Sequence, residues 1–224
     1  MNFIIKEYFL ILFNIFFDTI GKNSEIRKEM NSLKYIKYEM LTHTPVCTHS
    51  NPNRVLIIGE DTQIREELNK YKEITSILTI TESINDSLAN LESSSFDIAI
   101  INDNTILEDR IFWGLIAKTL TDKGVVSTLS SNMYNMQNSF ENELKTIGEV
   151  FKIVMPYRYE DDNSGILNMQ NLILASKSAH PTADINLQRV DLTDGFKYYN
   201  CDIAIGAFAI PTVVRKNFLG LIKS

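Results

Sequence analysis

The clearest signal in the hydrophobic pattern is the run Val55, Leu56, Ile57 and Ile58, unbroken by polar residues and closed by Gly59. A continuous apolar run of that length suits a strand buried on both faces of a parallel sheet. Ile64, Leu68 and Tyr71 then recur at helical spacing, with Asp61 or Thr62 available as the cap. Strand, turn and helix together open a doubly wound α/β domain, whose ligands sit at the carboxyl ends of its strands.

The remaining pattern continues in the same alternation. Ser76 to Thr81 is β-branched and alternating, a second strand; Ile84, Leu88 and Leu91 mark a short amphipathic helix; Phe96 to Ile101 is another buried strand. A helix is expected from Ile106 to Leu120, closed by Asp122-Lys123-Gly124, then a strand from Val125 to Leu129 and a helix from Met133 to Ile147 ending at Gly148. Val150 to Met155 reads as a strand stopped by Pro156, and Asn171 to Ser176 as a late strand returning across the loop Tyr157 to Met169. Two helices close the chain, Asn200 to Ile210 and Pro211 to Ile222, with proline opening the second. No internal repeat or low-complexity tract is present.

Ahead of the first strand the pattern is weaker. Residues 21–38 are polar, mixed in charge and without a clear period, which predicts a small irregular N-terminal subdomain; Glu39 to Thr48 leads through the turn signal Asn51-Pro52-Asn53 into the strand. Phe9 to Phe17 is apolar enough to raise a signal peptide or membrane anchor. It is short for a span of about 20 residues, contains Asn14, lies between Lys6-Glu7 and Asp18, and no small-residue cleavage site follows. The plainer expectation is a strand, hairpin or helix packed on the main domain, with no membrane partner.

Composition narrows the function classes. At 224 residues and 44% hydrophobic, the chain can bury one full core with a small appendage. A net charge of −6 argues against nucleic acid, whose binding needs many Lys and Arg against phosphates. Cys47 and Cys201 are too few for a disulfide framework or a thiolate metal site, which fits a reducing cytoplasm. His43 and His49 lack a cysteine pair or an acidic third ligand in spacing, so no metal is expected.

The turn after the first strand carries one glycine followed by Glu60 and Asp61. A phosphate cradle needs several glycines to bring backbone N–H groups close, and two carboxylates repel phosphate and welcome a cation. The plainer role for Glu60 and Asp61 is a helix cap with a favourable dipole interaction. Asn102-Asp103-Asn104 stands at the carboxyl end of the other buried strand, where the topology places a site. The acidic Glu160-Asp161-Asp162 reads as a solvated loop.

Three segments carry a resemblance to the spermidine synthases, the polyamine aminopropyltransferases, and most to their divergent epsilonproteobacterial members. The first is Tyr38 to His43 with Pro45, Cys47, His49, Asn51 and Pro52 leading into Val55–Gly59; the second is Ala175-Ser176-Lys177 after a loop containing Ser164-Gly165. The third is Lys197 to Asn200, Asp202-Ile203 and Ala207 to Pro211. The resemblance covers roughly residues 36 to 224. It implies a shortened N-terminal β subdomain over 1–37 and a Rossmann-like, methyltransferase-type doubly wound domain over 38–224. It also implies decarboxylated S-adenosylmethionine as co-substrate rather than cofactor, putrescine as acceptor, and a homodimer. The reaction is displacement by a neutral amine at the carbon beside a sulfonium.

The same resemblance assigns roles. Asn102 falls at the family's catalytic aspartate, with Asp103 its neighbour; an amide hydrogen-bonds an amine but does not take its proton. In a strand, neighbours point to opposite faces, so Asp103 substitutes only where the turn re-aims it. Thr62 aligns with the aspartate for the donor's amine, with Asp61 beside it. Thr79 or Thr81 aligns with the ribose-holding acid, and Glu82 is the acid close by. Tyr38 stands where the family has His or Gln, Lys37 where it has tyrosine, and Ala204 where it has histidine. Tyr157 and Tyr159 are candidates to lie over the acceptor. The segment with the family's third strand and adenine-contacting acid is missing, since Leu88 to Phe96 leaves no room for it. Two readings follow: an aminopropyltransferase, or a catalytically inactive relative that acts as a partner. In the first, Asp103, Asp61 and Glu82 converge on one open cleft.

Overall fold

The computed structural model describes residues 33–134, 138–161 and 168–224. Residues 1–32 of the expected N-terminal subdomain, with the apolar run Phe9–Phe17, lie outside the described residues. Helix α1 (Lys34–Thr48) leads into β1 (Arg54–Gly59), α2 (Thr62–Leu68), β2 (Ser76–Ile80), α3 (Ile84–Ala89), β3 (Phe96–Asn102), α4 (Arg110–Thr119) and β4 (Leu120–Leu129). Then come α5 (Ser139–Val150), β5 (Ile153–Asp161), β6 (Asn168–Ser176), α6 (Leu187–Leu192), α7 (Cys201–Gly206) and α8 (Thr212–Asn217). The boundary expected between 37 and 38 falls inside α1.

The strands form one sheet in the order β2-β1-β3-β4-β6-β5, with β1 parallel to β2 and β3, β3 parallel to β4, and β6 antiparallel to both β4 and β5. From β1 the chain steps outward to β2 and then crosses back to β3 on the other side. That reversal makes the carboxyl ends of β1 and β3 the topological switch point. Among the described residues β2 is an edge strand, and no further strand lies outside it.

Alternation along β1 divides the core between the two faces. Val55 and Ile57 join Ile98, Ile100, Met40, Leu41 and Tyr157 on one side; Leu56 and Ile58 join Ala99, Ile101, Phe112, Trp113 and Ile116 on the other. Covering both faces explains why β1 and β3 read as unbroken apolar runs.

Several sequence expectations are corrected. Glu39 to Thr48 is not a lead-in but part of α1, and residues 39–49 are all buried. Helix α4 starts at Arg110 rather than Ile106, because Asp109 Oδ1 accepts from the Ile111 and Phe112 N–H groups at 2.8 and 3.3 Å. Helix α5 starts at Ser139, not Met133. Asp122-Lys123-Gly124 lies inside β4: the pairing jumps from Phe96–Leu120 to Ile98–Val125, so residues 121–124 form an excursion from the ladder. A Cβ on Gly124 would meet Leu120 Cβ at 2.6 Å, so that fold-back requires glycine. Pro156 does not stop its strand either. It sits in β5, whose one strand neighbour among the described residues is β6, and an edge strand tolerates a missing N–H. The expected loop after it is instead strand as far as Asp161 and again from Asn168.

Candidate active site

The site is built where β1 and β3 end side by side, with Gly59 and Asn102 as paired positions. Gly59 adopts φ +96°, and a Cβ there would stand 2.7 Å from the Asn102 carbonyl oxygen. Only glycine combines that left-handed turn with so close an approach. The Asn102 side chain fastens the same junction, its Nδ2 donating to the Glu60 carbonyl at 2.9 Å. Its Oδ1 accepts from Lys37 Nζ at 3.2 Å, so α1 delivers an ammonium to the end of β3.

A cavity of about 640 Å³ opens here, lined by Lys37, Gly59, Glu60, Asp61, Thr81, Asn102, Asp103, Asn104 and Leu129. Its charged groups are in different states of engagement. Asp61 is ion-paired with Arg65 and accepts from Thr79 Oγ1 at 2.5 Å, while Arg65 reaches Thr79 Oγ1 at 2.6 Å. The Thr79 hydroxyl, and then Arg65, hold the Asp61 carboxyl below its usual range. Asp103 is re-aimed by a tight turn in which its Oδ1 accepts from Thr105 N at 2.8 Å and Thr105 Oγ1 at 2.7 Å. One oxygen accepts both bonds and the carboxylate still borders the cavity. Burial lowers the Lys37 pKa, against the opposing pull of Glu60 and then Asp161.

A second cavity, about 700 Å³, shares Glu60 and is lined also by Tyr35, Tyr38, Glu66, Glu67 and Lys70. The Tyr38 phenol is raised above its ordinary pKa by burial and by Glu60. Lys37 Nζ lies 4.6 Å from the Tyr38 ring centroid, at the boundary between the two spaces.

The sequence-predicted residues therefore divide. Asp61, Asn102 and Asp103 meet in one cavity; Glu82 is exposed and does not line it, so only two of the three expected carboxylates converge. Thr79 is engaged with Asp61 and Arg65, and Thr81, two residues on, faces the cavity instead. Thr62 is exposed at the start of α2, and the expected cap by Asp61 is not made, because that carboxylate turns to Arg65 and Thr79. Tyr157 is fully buried, bonded to Ser127 Oγ at 2.6 Å and donating to the Met40 carbonyl at 3.2 Å; burial raises its pKa well above the usual range. It is a core residue and not a surface for an acceptor. Of the other cavity residues, Glu60, Thr81 and Asn104 were also named from the sequence, and Leu129 was not singled out for the site. Lys37 stood in a stretch with no period, so only its alignment with a family tyrosine pointed to it. Among the described residues no group of three or more His, Cys, Asp or Glu is placed to hold a metal ion. No helix among them is long and apolar enough to cross a membrane.

Strand order, switch point and crevice define a Rossmann-like α/β protein of methyltransferase type. Within that class the chain is similar to spermidine synthases. Residues 34–87 match the model of the spermine/spermidine synthase domain. The polyamine aminopropyltransferase of Helicobacter acinonychis (strain Sheeba) is 27% identical over 213 residues, 85% of this chain and 79% of that protein. That of Thermotoga petrophila is 27% identical over 227 residues, covering 84% and 75%. The fold is shared with the spermidine synthase of Thermotoga maritima (TM-score 0.73, 24% identity, 82% and 74% covered). It is shared also with a spermidine synthase in complex with the transition state analogue AdoDATO (TM-score 0.72, 22% identity, 82% and 75% covered).

Proposed function

We propose that this chain transfers the aminopropyl group of decarboxylated S-adenosylmethionine to a small amine. Putrescine, the acceptor implied by the sequence resemblance, is the reference substrate; it would give spermidine and methylthioadenosine. The observation that carries the reading is the single cavity at the β1/β3 switch point, where Glu60 and Asp103 offer carboxylates beside Asn102. In the reaction the amine nitrogen attacks the propyl carbon bonded to sulfur. The C–S pair returns to sulfur, which leaves as a neutral thioether, and the nitrogen sheds a proton. In this reading Asp103 accepts that proton; what supports it is that Asn102 is an amide already engaged by Lys37 and Glu60 while Asp103 borders the cavity. The donor is a co-substrate, and the reading requires no separate cofactor or metal. A cytoplasmic homodimer is part of the same reading.

The test is methylthioadenosine release from the two substrates. Turnover should fall about 100-fold or more in Asp103→Asn, the range for losing a general base. Turnover equal in the variant would remove Asp103 from the mechanism. The inactive-partner reading has its own support, because Asp61 is already neutralised by Arg65 and the catalytic-aspartate position holds an amide. Absence of both turnover and donor binding by calorimetry would favour it.

A further inference from the structure

Lys37 brings to the cavity a charge that a diamine-accepting site does not need. Its Nζ donates to Asn102 Oδ1 at 3.2 Å, the acceptor atom that an incoming amine would use at the end of β3. The same ammonium borders the cavity that Glu60 and Asp103 line. The cavity therefore presents one ammonium, Lys37, together with the carboxylates of Glu60 and Asp103, while Asp61 is offset by Arg65. Putrescine would place an ammonium at each end and meet Lys37 with like charge.

We infer that Lys37 is a specificity-determining residue, and that the amine acceptor taken by this cavity is an ω-amino carboxylate, its ammonium toward Asp103 and Glu60 and its carboxylate on Lys37. The inference rests on the reading of this cavity as an amine-acceptor site. Two features beyond charge count favour it. An ammonium has three protons, and the bond to Asn102 uses one. Burial disfavours the charge on Lys37, with Glu60 and Asp161 opposing, and an anionic ligand end would offset that desolvation as well. The transfer is that of the parent reaction: the amino nitrogen attacks the propyl carbon, the C–S pair returns to sulfur, and the nitrogen's proton passes to Asp103 or water.

The test uses two probes of similar length that differ at one end, 4-aminobutyrate and putrescine, with the full chain and methylthioadenosine present. Calorimetry should show 4-aminobutyrate bound about tenfold or more tightly than putrescine, with the order reversed in Lys37→Met and kept in Lys37→Arg. Preference for putrescine in the native chain, a preference that Lys37→Met does not move, or binding of neither probe would overturn the inference. Aminopropyl transfer measured alongside separates the two readings. Preferential binding of 4-aminobutyrate without transfer would sustain Lys37 as the carboxylate-binding residue and sink the transferase, and the acceptor role with it. Transfer to putrescine ahead of 4-aminobutyrate, unaffected by Lys37→Met, would sustain the transferase and sink the role of Lys37.

Discussion

Glu39 is a carboxylate at 1% exposure, a position that demands full hydrogen-bond satisfaction. Its Oε1 accepts from the Lys197 N–H at 2.8 Å, and its Oε2 from Tyr198 and Tyr199 at 2.9 and 2.8 Å. One helix side chain thereby fastens the C-terminal segment carrying Lys197 to Asn200 across the domain. Glu39→Gln replaces one acceptor oxygen with an NH₂ group and removes the acceptor of at least one of these three N–H groups. A loss of about 2 kcal/mol is expected from charged hydrogen bonds of this kind, read as a lower urea midpoint with unchanged m. At this scale the sequence was informative where the backbone fixes direction. Asp103 was legible as a strand-end carboxylate, and only the turn to Thr105 shows that it reaches the cavity. Tyr157 reads as a loop residue because Pro156 looks like a strand stop, whereas β5 runs on through it and α1 covers its side chain.

Gly59 shows how two elements are welded by the absence of a side chain. Gly59→Ala would set a Cβ 2.7 Å from the Asn102 carbonyl oxygen and 3.0 Å from its carbon, at a φ of +96° that alanine rarely adopts. The strand ends must then part, which should cost about 1–3 kcal/mol in thermal or urea unfolding. It should also abolish nucleoside binding by calorimetry, since the lining of the cavity moves with Asn102; binding retained at native affinity would separate the turn from the site. Elements covered on both faces were legible, β1 and β3 above all, because continuous apolar runs have few other meanings. Helix α1 was hidden for the opposite reason. It is buried all round from Glu39 onward and contains Pro45, so it shows neither an amphipathic period nor good helix propensity. With α1 unseen, its Lys37 was not a site candidate.

At the scale of the whole molecule, two buried histidines tie stability to pH. His43 is fully buried between α1, α2 and the C-terminal segment. Its Nε2 lies 2.8 Å from Glu67, its Nδ1 2.8 Å from the Tyr71 hydroxyl, and Phe196 and Tyr199 pack on its ring. The neutral ring fits this setting, with Nε2–H donating to Glu67 and Nδ1 accepting from Tyr71. Burial lowers its pKa from 6.5, against the pull of Glu67 and Glu39, with Lys70 adding to the decrease; burial lowers His49 as well. A folded pKa below the unfolded one means that the unfolded chain binds the proton first as pH falls. Stability is therefore complete above the unfolded value of 6.5 and declines below it, by up to about 1.4 kcal/mol per pH unit for each histidine. Glu67 works in a lower window. Its pKa is depressed because the His43 and Lys70 bonds outweigh burial, so its contribution is lost only below about 4.5. Urea midpoints should accordingly fall between pH 7 and 5.5, above the window in which Glu67 contributes. His43→Asn should be less stable at pH 7 and show a shallower slope across that interval, and His43→Asn with His49→Asn shallower still. A slope unchanged in both variants would mean that the acid sensitivity arises from groups other than these histidines.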